Sequence, residues 1–376
     1  MNILQVPQGH FTLNRYPVRR NDQLRAWDAA DEYILLYLQE QALLNDSSKI
    51  LILNDAFGAL SIALAPYKPC TISDSFVSHQ GIIGNAKINK IDPQYITQQN
   101  NFQPLSDVFN LIIIKIPKNL AMLEDELYKI REACNEKTVI LAAAMSKYIH
   151  SSTLKLFERI IGPTTTSLAR KKARLAICKL DTELEPGNSP YPTQYKLDLT
   201  NETYINHANV FSREKLDLGS RFMLEHIPQS TSYTHILDLA CGNGVLGINA
   251  AQLNPMAKIY FVDESYMAIE SAKTNTKQLL EDDSRCNFKV TDCLLGIENN
   301  SLDLILNNPP FHQNHVVGDF IAWQMFNEAK QKLNIGGELL IVGNRHLGYH
   351  IKLKKLFGRC EMIASNKKFV ILKAVK

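Results

Sequence analysis

The chain alternates short, uninterrupted apolar runs with longer stretches whose apolar residues recur every three or four positions. Runs such as Lys49–Leu53, Cys70–Asp74, Val108–Ile116, Val139–Ala144, His235–Leu239, Lys258–Asp263 and Leu304–Leu306 predict buried strands, because a strand covered on both faces has no need of polar alternation. Between them lie amphipathic stretches. Leu24, Trp27, Ile34, Leu35 and Leu38 fall on one helical face, with Asn21 and Asp22 as candidate caps, and Ile321, Met325, Phe326, Ala329 and Leu333 do the same later on. Strands alternating with helices in this way predict an α/β fold built on parallel sheets.

The order of these elements occurs twice. Asn54–Ser61 parallels Asp238–Gly247, Asp74 parallels Asp263, Leu111–Pro117 parallels Leu304–Pro310, and Leu154–Phe157 echoes Lys354–Phe357, a pattern that predicts an internal duplication. Proline, glycine and acids without a period mark Asp181–Pro192 as a connector. The expected organisation is a first domain over residues 1–180, a linker over 181–194 and a second domain over 195–376. Alternating runs around Asn201 and Glu202 predict a hairpin spanning 195–205, and Asp217 is a candidate helix cap.

The second half carries the candidate chemistry. Asp238 ends a strand that leads into Gly242-Asn243-Gly244, a turn whose glycines let the backbone approach a ligand closely. There is no full G-x-G-x-x-G and no Walker lysine, which argues against a pyrophosphate or triphosphate guest. Asp263 ends the next strand, where such folds hold two ribose hydroxyls, and Asp292 ends a third. The run Leu304–Phe311 then stops at Asn308-Pro309-Pro310-Phe311. Proline donates no N–H and holds the preceding residue extended, so the carbonyls at Asn308 and Pro309 escape the sheet ladder. With the Asn308 amide oxygen and the Phe311 ring, they suit a flat heterocycle bearing an exocyclic NH2.

This ordered set resembles the Rossmann-like S-adenosylmethionine methyltransferases that act on exocyclic or amide nitrogens. The longer run Asn307–Gln313 resembles the guanine-N2 methyltransferases of bacterial ribosomal RNA, and the tail Val342–Lys376 is similar to the members that act on 23S rRNA. The resemblance implies two tandem Rossmann-like methyltransferase domains, the first degenerate and the second catalytic. It implies S-adenosylmethionine held by Asp238, Gly242, Asn243, Gly244, Asp263 and Asp292, and a guanine amine held by Asn308, Pro309, Pro310 and Phe311. The first copy keeps only Gly58 in place of the glycine pair and Ile114–Lys118 in place of the amine clamp, so it is expected to be silent. Its cluster of Arg170, Lys171, Lys172 and Arg174 suits RNA phosphates. Rival readings are 16S rRNA guanine-N2 methylation, adenine-N6 or glutamine methylation, and an RNA-binding assembly factor with an inactive site.

Composition narrows the classes further. A net charge of +3 leaves RNA affinity to local clusters, and 45% apolar residues suffice for two cores. The seven cysteines lack any C-x-x-C pair, as expected of reduced thiols in a cytoplasmic protein with no metal site. No apolar run is long enough to span a bilayer, and a monomer is expected. The histidines, His312, His315, His346 and His350 among them, have no spacing that suggests a metal.

Overall fold

The structure is a computed structural model that describes residues 2–19, 24–198, 200–310 and 315–376. It divides into two compact units, Met1–Tyr191 and Pro192–Lys376. The first unit opens with a hairpin, β1 (Ile3–Val6) against β2 (Gly9–Thr12). Its main sheet contains β3 (Ile50–Leu53), β4 (Cys70–Ile72), β5 (Thr97–Gln99), β6 (Leu111–Lys115), β7 (Val139–Met145), β8 (Thr164–Thr166) and β9 (Ala173–Lys179), in the order β5-β4-β3-β6-β7-β9-β8. The second unit also opens with a hairpin, β10 (Thr193–Lys196) against β11 (Thr203–Asn206). Its sheet contains β12 (His235–Leu239), β13 (Lys258–Asp263), β14 (Cys286–Val290), β15 (Leu302–Asn307), β16 (Leu333–Asn344), β17 (Glu361–Ser365) and β18 (Phe369–Val375), in the order β14-β13-β12-β15-β16-β18-β17.

The two sheets match strand for strand. In each, five parallel strands are followed by an antiparallel pair that closes one edge. The central strands are apolar on both faces because helices cover both, and the chain reverses strand order between β3 and β6, and between β12 and β15. Such a switch opens a crevice at the carboxyl ends of the central strands, where doubly wound folds take ligands. Among the described residues no helix is long and apolar enough to cross a membrane, and all seven cysteines are free thiols.

Register fixes the equivalences residue by residue. Leu53 pairs with Ile114 as Leu239 pairs with Asn307, so Ile52 stands where the second unit has Asp238, and Lys115 where it has Asn308. One expected match shifts. Leu53 pairs with Ile72 as Leu239 pairs with Val262, which sets Ser73, and not Asp74, opposite Asp263. The Ser73 hydroxyl accepts from the Ser75 N–H at 3.1 Å, just as Asp263 accepts from the Ser265 N–H at 3.0 Å. Asp74 lies one residue beyond the true equivalent, close enough in sequence to pass for it.

Three local expectations also change. The first long helix starts at Ala29 with Asp28 as its cap; Asn21 and Asp22 lie outside the described residues, Leu24 is half exposed, and Trp27 is buried before the helix begins. Gly336-Gly337, a pair expected from sequence to end the preceding helix, instead lies inside β16, which follows directly on the helix His315–Lys332. The stretch from Asp181 is tied down as well. Arg131 donates to the carbonyls of Asp181 and Leu184, Tyr128 to that of Pro186, and Glu124 and Asp125 accept from Tyr191 and Ser189. A segment without periodicity is thus fixed by side chains from one helix, Leu120–Arg131.

Candidate functional site

The glycine turn of the second unit follows β12 directly. Gly242 and Gly244 take φ of +55° and +84°, in the left-handed region that favours glycine, and Gly244 opens the helix Val245–Leu253. A Cβ on Gly242 would meet nothing within 4 Å, whereas one on Gly247 would lie 2.3 Å from the Phe261 ring. Gly242 therefore borders open space, and Gly247 is glycine to let helix and strand pack. Asp238 is buried, and its Oδ2 accepts from the Gly247 N–H at 2.8 Å while Oδ1 has no donor among the described residues. Burial, reinforced by the Asp263 charge, lifts its carboxyl to about 7 against the single N–H that favours ionisation. Asp263 in turn accepts from Gly242 N–H at 3.0 Å, which ties the second strand end to the turn.

The hairpin braces this turn from the other side. Asn243 donates to the Asn206 side chain at 2.9 Å and the Tyr195 hydroxyl at 3.2 Å, and Asn275 donates to the Asn243 carbonyl while its Oδ1 accepts from the Ile205 N–H. The Asn243 side chain and its carbonyl are thereby spent inside the protein. The hairpin begins two residues before its sequence pattern and ends one after it, with Thr193–Lys196 on Thr203–Asn206. Asp292 accepts from Gln324 of the helix His315–Lys332 at 3.3 Å and 3.4 Å.

Asn308 follows β15 at the carboxyl edge of the sheet. Its Nδ2 donates to Asp217 Oδ2 at 3.0 Å and to the Ser220 hydroxyl at 2.8 Å. Both amide hydrogens are committed, and Oδ1 is buried with no donor among the described residues. Asp217 caps the helix Leu218–Leu224 through the Ser220 N–H, so one carboxylate sets both the helix start and the amide. Pro309 is buried and Pro310 partly so; Phe311 and His312 lie outside the described residues. The cap at Asp217 was legible from sequence, but its bond to Asn308, 91 residues away, and the part of Ser220 were not. The signal was the Asp-x-x-Ser spacing, which puts both side chains on the first turn of one helix.

In the first unit the same positions hold different chemistry. Gly58 keeps the left-handed φ of Gly244, but Asp55 folds its carboxylate onto the turn, accepting from the N–H groups of Gly58 and Ser61 and from the Ser61 hydroxyl. Asn54, at the place of Ala240, bridges the Lys115 carbonyl at 3.2 Å and Glu126 at 2.9 Å. Lys115 is ion-paired to Asp28 and Asp31 at 2.8 Å and 2.7 Å. The turn and strand end of this unit are thus engaged by its own polar side chains. The expected basic cluster is partly neutralised: Arg170 pairs with Glu40 and Lys171 with Glu32, and only Lys172 and Arg174 have no carboxylate partner among the described residues. Among the described residues no three His, Cys, Asp or Glu side chains gather to hold a metal.

Residues 1–182 match the family model of the RLMG N-terminal domain, and residues 201–373 match that of the methyltransferase small domain. The chain is 49% identical over 368 residues to the ribosomal RNA large subunit methyltransferase G of Klebsiella pneumoniae, covering 97% of this chain and 96% of that one. The chain belongs to the ribosomal RNA large subunit methyltransferase G family. The counterpart from Yersinia pestis is 46% identical over 378 residues, covering 100% of this chain and 95% of its own. Among solved structures, the T. thermophilus 16S rRNA N2 G1207 methyltransferase, in complex with AdoMet and guanosine, aligns with a TM-score of 0.76 at 18% identity, covering 100% of this chain and 97% of that one. It shares the fold of this chain.

Proposed function

We propose that the second unit transfers a methyl group from S-adenosylmethionine to the exocyclic N2 of a guanine in 23S rRNA. The observation that carries this reading is Asn308, whose amide donors are both bound by Asp217 and Ser220 and whose buried Oδ1 is left as an acceptor. The name shared by relatives of 46–49% identity supports 23S rRNA over 16S rRNA as the substrate. The turn suits the methyl donor: Gly242 borders open space, Asp263 ends the strand where a ribose is held, and the Asp238 Oδ1 is unmatched. In this reading Asp238, Gly242, Asn243, Gly244, Asp263 and Asp292 hold the donor, Asn243 through its backbone N–H. When bound, S-adenosylmethionine supplies an electrophilic methyl group.

The chain's own residues govern the amine. A guanine N2 is conjugated with its ring and becomes a nucleophile only as it turns tetrahedral and gains positive charge. Hydrogen bonds from N2 to Asn308 Oδ1 and the Pro309 carbonyl strengthen as that charge grows, which stabilises the transition state more than the bound substrate. Asp217 and Ser220 prevent the amide from flipping to present its NH2. Phe311 stacks on a base taken out of its helix or presented in a loop. The first unit, with Ile52, Asp55 and Lys115 where the second has Asp238, an open turn and Asn308, binds neither donor nor base and serves to hold RNA. Mapping N2-methylguanine in rRNA from cells with and without the protein tests the reading. Loss of one modified guanine in 23S rRNA supports it; loss in 16S rRNA alone, or no change in either, overturns it.

A further inference from the structure

The two units differ in their glycine turns and strand ends but share one cationic feature. The strands β8 and β9 are joined at their tip by Arg170-Lys171-Lys172-Ala173, and β17 and β18 by Asn366-Lys367-Lys368-Phe369. Met145 pairs with Ala173 as Asn344 pairs with Phe369, so Lys171-Lys172 and Lys367-Lys368 are the same two positions of one duplicated turn. Each tip is anchored by the same bond. The Ser146 N–H donates to the Lys172 carbonyl at 2.7 Å, and the Arg345 N–H to the Lys368 carbonyl at 3.0 Å.

In both units the tip stands at the carboxyl edge of the sheet, where lysines of the turn itself or of the segments near it lie over an aromatic ring. Lys368 Nζ lies 5.0 Å from the centre of the Phe369 ring, and Lys147 and Lys118 lie 4.8 Å and 5.6 Å from that of Tyr148. Phe369 also reaches the turn at Gly219, next to Asn308. Lys118, Lys147, Lys172, Lys367 and Lys368 are exposed, and none has a carboxylate partner among the described residues. A fold with a net charge of +3 could have neutralised them, as Glu32 and Glu40 neutralise Lys171 and Arg170.

We propose that this duplicated turn is a phosphate grip present in both units, through Lys367 and Lys368 in the second, beside the target base, and through Lys172 with the neighbouring Lys147 in the first, the unit without transfer chemistry. The inference rests on the RNA reading above and assigns the residues that carry it. Exposed lysines without carboxylate partners match the backbone of a single strand or loop, where phosphates supply affinity without reading sequence. The closing antiparallel pair is then the part of the duplicated fold that kept its task, while the glycine turn and strand end of the first copy lost theirs.

The test measures binding of the full chain to unmodified 23S rRNA transcribed in vitro, over a range of salt concentrations. Its variants are Lys147→Gln/Lys172→Gln, Lys367→Gln/Lys368→Gln, and a control, Lys87→Gln/Lys90→Gln, which removes the same charge at the opposite end of the first sheet. Each tip variant is expected to lower the slope of log affinity against log salt by about 1.4, roughly 0.7 for each single-strand phosphate that is no longer neutralised, with the control slope equal to the wild type. S-adenosylmethionine affinity and melting temperature are expected to stay at wild-type values in all three. Slopes of the two tip variants equal to the control overturn the grip, and a change in only one unit overturns its duplication. A wild type that shows no salt-dependent binding overturns the RNA reading itself, and the grip with it.

Discussion

Asn308 and Lys115 end equivalent strands and are held by equivalent partners. Each is bound by the N-cap acid of a helix, Asp217 or Asp28, and by the third residue of that helix, Ser220 or Asp31. Exchanging an amide for an ammonium and a hydroxyl for a second carboxylate keeps the contact but reverses its outcome. The amide keeps a free acceptor; the ammonium has donors only, and two carboxylates bind it.

Ser220→Ala removes one of the two acceptors that fix the Asn308 amide and leaves the Asp217 cap in place. It is expected to lower kcat/KM for methyl transfer about tenfold, the equivalent of one hydrogen bond, at unchanged S-adenosylmethionine affinity. Steady-state transfer and calorimetric titration check it, and an equal loss in both would show that Ser220 serves the donor site instead.

Lys115→Met leaves the buried Asp31 carboxylate without its cation, with the half-exposed Asp28 beside it. The first unit is expected to lose about 3–5 kcal/mol, read from its denaturant unfolding transition. An unchanged midpoint would mean that this pair contributes nothing to the fold.

Glu126 is buried beside Asn54, with its Oε1 unmatched among the described residues, and burial lifts its carboxyl to about 8. The folded state therefore holds a proton that the unfolded chain releases near 4.5. The stabilisation is complete below that value and is lost as pH rises towards 8, by at most about 1.4 kcal/mol per pH unit. Unfolding of the first unit at pH 5, 6.5 and 8 should show this decline in the wild type, and Glu126→Gln should flatten it; parallel curves would place the titration elsewhere.

Gly242→Ala adds a methyl group that projects into open space at a left-handed φ, whereas Gly244→Ala forces one to 3.1 Å from the Ala272 Cβ. The first is expected to cost only about 1–2 kcal/mol of stability and to weaken S-adenosylmethionine binding tenfold or more. The second should lower stability further through the added clash. Thermal melts with and without S-adenosylmethionine separate the two effects, and intact donor binding in Gly242→Ala would remove that turn from the donor site.

Much of this architecture was legible in the sequence because it depends on local patterns. Apolar runs gave the central strands, and the glycine pair and Asn-Pro-Pro marked the two faces of the candidate site, since turns and strand ends are written in consecutive residues. The rest depends on register. A one-residue offset moved the match of Asp263 from Asp74 to Ser73, and only strand pairing reveals it. The partners of Asn308 lie on a helix far back in the chain, and Arg170 and Lys171 looked free because Glu40 and Glu32 sit some 130 residues earlier.

The most direct measurement is single-turnover methyl transfer to 23S rRNA by Asn308→Ala at saturating S-adenosylmethionine, with the donor dissociation constant measured on the same protein. The expected result is a fall in rate of about a hundredfold or more with the dissociation constant unchanged, because Asn308 acts on the charge that develops on the amine. A rate within a few fold of the wild type, or a loss matched by weaker donor binding, would contradict the role given to Asn308.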